Sequence, residues 1–150
     1  GANSVVNKTI EPYGVYAGVP ARKIKSRWNF VPPVEIDFRN EEHRPYFYAG
    51  FDHVAHCEHG MHVLGTTATL TLNSQGVSNL TLQVFSTFAE AIQVVVSTGT
   101  KRELLTVRTG AHSLKLGSFA PEADTSYRKI QITIQGRDKG AFYVSHARIT

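Results

Sequence analysis

The chain has one cysteine, one methionine and one tryptophan in 150 residues. With Cys57 alone, no disulfide can close within it, so a reducing, cytoplasmic setting is expected. Gly1 opens the sequence in place of a methionine, and no basic stretch followed by an apolar one has the form of a secretory leader. Met61 lies well inside, and the expectation is a piece of a longer protein. No apolar run approaches the roughly 20 residues of a membrane-spanning helix. Charged residues are sparse at 19%, but a hydrophobic content of 41% supports a real core and argues against disorder.

Catalytic signatures are also lacking. There is no Gly-x-Ser-x-Gly elbow and no glycine-rich phosphate loop, and Asp52-His53 with scattered serines makes no triad. Glu58, Glu90, Glu103 and Glu122 are dispersed, with no pair marked as general acid and base. A net charge of +4 is too mild for a nucleic-acid binder. Arg22, Lys23, Lys25 and Arg27 hold much of it, so an anionic small ligand near residues 8–27 is the expected partner before DNA.

Period-two alternation is present in abundance. Ala68, Leu70 and Leu72 alternate with Thr67, Thr69 and Thr71. Leu80, Leu82 and Val84 alternate with Thr81, Gln83 and Phe85. Ile92, Val94 and Val96 follow the rule, as do Leu114 and Leu116, and Ile130, Ile132 and Ile134 are set against Gln131, Thr133 and Gln135. Phe142 and Val144 open a last strand that reaches Ile149. Such spacing buries one face of a strand and wets the other. Turn signals fall between the runs, at 73–76, 98–100, 109–110 and 136–140. Residues 46–150 therefore predict an all-β antiparallel sandwich of seven or eight strands, jelly-roll-like in topology. Pro32-Pro33 and the charged run Asn40–Pro45 mark 31–45 as a linker lying along a neighbouring surface.

Residues 1–30 read differently. Val5-Val6 and Val15–Val19 are extended, Ile10–Gly14 is a turn, and Pro20 suits the first position of a short helix over Ala21–Trp28. The string Gly14-Val15-Tyr16-Ala17-Gly18-Val19-Pro20-Ala21-Arg22-Lys23-Ile24-Lys25, preceded by Gly1-Ala2-Asn3-Ser4-Val5-Val6-Asn7-Lys8, resembles the last coil and exit helix of the hexapeptide-repeat acyltransferases. The likeness covers roughly residues 1–28. It implies a left-handed parallel β-helix ending here, acetyl-CoA as donor and a homotrimeric parent, a bacterial O-acetyltransferase acting on a sugar or glycan acceptor. Positions matching Ala2, Asn7, Lys8, Arg22 and Lys25 line the coenzyme channel in that family, and cationic side chains there suit its phosphates. The family's histidine general base lies on an earlier coil, so these 150 residues are expected to hold no catalytic residue and to be inactive alone.

Two further constellations remain. His53, His56, Cys57, Glu58, His59 and His62, with His43 nearby, offer imidazole and thiolate donors. No standard zinc spacing is matched, and strand geometry would turn neighbours to opposite faces, so the set reads as a polar loop and no metal is expected. Tyr46, Phe47, Tyr48, Phe51, Phe85, Phe88, Tyr127 and Tyr143 could supply rings for sugar stacking if any reach the surface, whereas most are expected in the core. The alternative reading is therefore a non-catalytic carbohydrate-binding or protein-interaction sandwich.

Overall fold

The computed structural model describes residues 1–10, 14–26, 32–47, 49–54, 57–73, 78–99, 101–119, 127–136 and 139–150. It divides into two compact units, Gly1–Val31 and Pro32–Thr150. The formal charge divides with them. The first unit has five basic residues and one acidic, and the second has eleven of each.

In the first unit, β1 (Gly14–Ala17) and β2 (Arg22–Ser26) form an antiparallel pair with a bulge opposite Val15 and Tyr16. The intervening turn contains a cis Val19–Pro20 peptide. Val5 is stitched to its ends: its N–H donates to Gly18 O at 3.2 Å, and its carbonyl accepts from Ala21 N at 2.8 Å. The exit helix expected from Ala21 onward is corrected: 22–26 is a strand, and Arg27 and Trp28 lie outside the described residues. A lone helix of about eight residues is marginal in water, whereas pairing with β1 satisfies the same backbone groups. Among the described residues of this unit the expected coil of a left-handed β-helix is not shown. The strands of a coil stack in parallel, and β1 and β2 run antiparallel.

The second unit is an antiparallel sandwich. One sheet has the order β5 (Thr67–Asn73), β10 (Tyr127–Gln135), β7 (Ile92–Thr98), β8 (Lys101–Val107). The other runs β3 (Glu35–Asp37), β11 (Phe142–Ile149), β6 (Ser78–Ser86), β9 (Gly110–Phe119), with β4 (Met61–His62) also on β11. From β5 to β11 the chain crosses between sheets at every connection except the β7–β8 hairpin. The predicted alternation holds, except that Val95 of β7 is buried along with Val94 and Val96. Ala68, Leu70, Leu72, Ile130, Ile132, Ile134, Ile92, Val94 and Val96 are buried from one sheet, and Leu80, Leu82, Val84, Leu114, Leu116, Phe142 and Val144 from the other. β8 was not legible, because as an edge strand (Lys-Arg-Glu-Leu-Leu-Thr-Val) it needs only one apolar anchor, Val107.

The segment expected as a linker belongs to this unit. Ile36 in β3 is buried, and a 3-10 turn over Glu41–Phe47 replaces the expected charged connector. The rings of Phe38, Phe47 and Phe51 meet at 4.5, 5.1 and 5.6 Å and form an aromatic cluster of their own. Asp37 ties these pieces together. Its N–H donates to His43 Nδ1 at 3.0 Å, and its carboxylate accepts from Arg39 N at 2.9 Å and Arg39 Nε at 3.1 Å and lies 3.4 Å from His146 Nε2 on β11. Burial pushes the Asp37 carboxyl up, but the Arg39 N–H, the Arg39 guanidinium and His146 together outweigh it and hold the group below its ordinary 3.8. A carboxyl lowered on folding stabilises the fold above its unfolded pKa, and that stabilisation is lost as pH falls through the folded value. The pair is partly exposed, so the effect is small. Asp37→Asn should cost up to about 1 kcal/mol at pH 5.5 in urea unfolding, and the gap to the parent should close as pH is lowered past 3.8. A gap independent of pH would contradict this role.

Candidate functional site

Antiparallel register sets one row of side chains across the outer face of the five-stranded sheet. Phe85 on β6 lies opposite Tyr143 on β11, Tyr143 opposite His62 on β4, and Phe85 opposite Ala111 on β9. Both aromatic residues are half-buried, while their strand neighbours Val84, Phe142 and Val144 are in the core. Strands lie about 4.8 Å apart, and the row crosses four of them.

The loop before β4 adds a fourth ring. Cys57 and Gly60 close a tight turn in which Gly60 N donates to Cys57 O at 3.1 Å. The Cys57 thiol donates to Gly60 O at 3.6 Å and accepts from His59 N at 3.3 Å. His59 stands at the tip and lies flat on Phe85, with centroids 3.7 Å apart and planes within 9°. Tyr143 meets His59 edge-on at 6.0 Å and His62 at 5.2 Å. Gly60 makes this placement possible. Its φ is +106°, and a Cβ there would sit 2.4 Å from Val144 O and 2.6 Å from Ser145 Cα. Only glycine lets the turn lie directly on the β11 backbone, where a bulge already interrupts the register between Val144 and His146.

Polar groups flank the rings. Two residues along β6, exposed Gln83 donates through Nε2 to Ser113 Oγ on β9 at 3.2 Å. In the other direction Thr87 Oγ1 accepts from Ala141 N at 2.8 Å. The exposed Glu58 carboxylate stands 3.6 Å from His59 Nε2. This arrangement sets aromatic rings, one of them covered by the His59 imidazole, beside amide and hydroxyl groups.

The histidine cluster is dispersed. His53 stacks on Phe47 at 5.6 Å, His43 serves Asp37, and His59 and His62 join the aromatic row; His56 lies outside the described residues. Among the described residues no three metal-ligating side chains converge. Of the rings proposed for stacking, Tyr46, Phe47, Phe51 and Phe88 are core, and burial pushes the Tyr46 phenol above its ordinary 10.0. Phe85 and Tyr143 are the two that reach the surface, Tyr48 and the Tyr127 side chain lying outside the described residues. Ala2, Asn7, Lys8, Arg22 and Lys25 are all exposed in the first unit. The strict alternation around Phe85 and Tyr143 carried the signal for an outward pair. No pattern in the sequence linked His59 to Phe85.

No protein-family model matches the sequence, and no curated protein matches it. Among solved structures, a CBM36 carbohydrate-binding module in complex with calcium and xylotriose is similar at 14% identity and TM-score 0.50, covering 77% of this chain and 98% of that one. The CBM36-1 domain of a multidomain xylanase from the hindgut metagenome of Trinervitermes trinervoides follows at 12% identity and TM-score 0.49, covering 61% and 77%. TmCBM61 in complex with β-1,4-galactotriose has 15% identity and TM-score 0.42, covering 60% and 68%. The first of these likenesses establishes a shared sandwich fold. None of the three is a hexapeptide-repeat acyltransferase.

The close approach at Gly60 gives a direct check on the site. Gly60→Ala should lower stability by at least about 2 kcal/mol, since both the positive φ and the backbone contact oppose a side chain. It should also shift the ring-proton resonances of His59 as the turn lifts from β11. A fully stable variant with unmoved His59 resonances would show that the turn is not held there.

Proposed function

We propose that the second unit is a non-catalytic carbohydrate-binding sandwich, with sugar held on the His62, Phe85 and Tyr143 surface. The observation that carries this reading is the cross-strand pair Phe85–Tyr143, two half-exposed rings placed side by side on a rigid sheet and bordered by Gln83 and Ser113. An aromatic face takes up the C–H face of a sugar, and amide and hydroxyl groups exchange hydrogen bonds with its hydroxyls. The fold shared with the CBM36 module supports the same reading.

That module was solved with calcium. Calcium takes six to eight oxygen ligands, from carboxylates, backbone and amide carbonyls and water. Among the described residues no three metal-ligating side chains converge, and the sugar contact proposed here uses rings, amides and hydroxyls. The coenzyme role of Ala2, Asn7, Lys8, Arg22 and Lys25 is a separate proposal for the first unit. It rests on the resemblance carried by the Gly1–Lys8 and Gly14–Lys25 strings alone.

Calorimetry of the whole chain with xylotriose, β-1,4-galactotriose and cellotetraose tests the reading. At least one sugar should bind, with the affinity unchanged by a chelator. Tyr143→Ala should weaken that binding by about tenfold, the worth of one stacked ring. No binding of any sugar, or full affinity in Tyr143→Ala, would overturn the proposal.

A further inference from the structure

The imidazole of His59 occupies the place where a sugar ring stacked on Phe85 would lie. It covers the outward face of the phenyl ring in parallel, 3.7 Å away. The rest of the surroundings already suits a larger, flatter guest. Ala111, opposite Phe85 on β9, contributes only a methyl group, and Tyr143 closes the other side at 6.4 Å with its plane turned by 57°. Gln83 and Ser113 lie one step further along the same face. With the imidazole turned aside, Phe85 becomes the floor of a slot walled by Tyr143 and lined at one end by an amide and a hydroxyl.

The turn that carries His59 is anchored where the side chain is not. Gly60 is held against Val144 and Ser145, and Cys57 is bonded to both His59 N and Gly60 O. The His59 ring itself is about a third exposed and lies 3.6 Å from the exposed Glu58 carboxylate. A rotation about the His59 side-chain bonds therefore opens Phe85 without disturbing the backbone hydrogen bonds of the turn.

We infer that Phe85 is the primary sugar subsite of this sandwich and that His59 is its gate, displaced when a pyranose stacks in its place. The ligand class follows from the floor. A single flat phenyl ring selects a pyranose with equatorial hydroxyls, which presents a continuous C–H face, and the open ends of the slot admit an internal unit of a linear chain. This rests on the carbohydrate reading above and adds the subsite, the ligand class and the role of His59. In the resting protein only the fraction with His59 turned away can bind, so the apparent affinity is reduced by that fraction. A ring-on-ring contact of this kind reduces it by about two- to tenfold.

The test uses the whole chain, with xylotriose as the probe and His59→Ala, Phe85→Ala and the double variant. His59→Ala should bind about two- to tenfold more tightly than the parent, and the double variant should bind no better than Phe85→Ala. In the parent, His59 ring protons should leave their phenyl-shielded positions in the proton spectrum as xylotriose saturates the protein. If the parent binds while His59→Ala binds equally or more weakly, or if the His59 shielding survives saturation, the gate is wrong and the carbohydrate reading stands. If neither the parent nor any variant binds, both fail.

Discussion

A strand that buries Val84 has to expose Phe85, and a strand that buries Phe142 and Val144 has to expose Tyr143. The period-two geometry of β6 and β11 leaves no other choice once their apolar sets fill the core. Antiparallel pairing then brings Phe85 and Tyr143 directly opposite one another on the solvent face. The site is thus a consequence of the core. A one-residue slip of β6 against β11 would bury Phe85 and destroy both at once.

An outward aromatic pair leaves apolar surface in water, and the turn at Cys57–Gly60 partly covers it. That cover depends on one backbone contact, Gly60 against Val144 and Ser145. A rigid floor on two central strands and a single movable ring above it divide the work between shape and access. Three large aromatics, Phe38, Phe47 and Phe51, are spent on a separate buried cluster. They show why ring count alone does not locate a binding face.

Most of the sandwich could be read from the sequence, because Leu70, Leu82, Val94, Leu116 and Ile132 obey an alternation that local geometry imposes. The outward positions of Phe85 and Tyr143 were implicit in the same pattern. His59 on Phe85 was not, since the contact joins a turn to a strand 26 residues away and depends on a glycine fit against a third segment. Where pattern was weak, context decided. The Pro20-Ala21 start favoured a helix, but β1 offered Arg22–Ser26 a pairing partner. The charged run at 41–45 suggested a connector, whereas Tyr46 and Phe47 draw it into a 3-10 turn.

The two units carry different signals. Residues 1–31 hold the acyltransferase-like motif and the entire excess of positive charge, and residues 32–150 are neutral and hold the aromatic surface. The claim that sugar meets the protein on that surface is tested most directly by residue-resolved chemical-shift mapping of the labelled chain with xylotriose. The account predicts perturbations centred on Phe85 and Tyr143 and spreading to His59, His62, Gln83 and Ser113. Perturbations confined to the β5–β10–β7–β8 sheet or to residues 1–26 would contradict it.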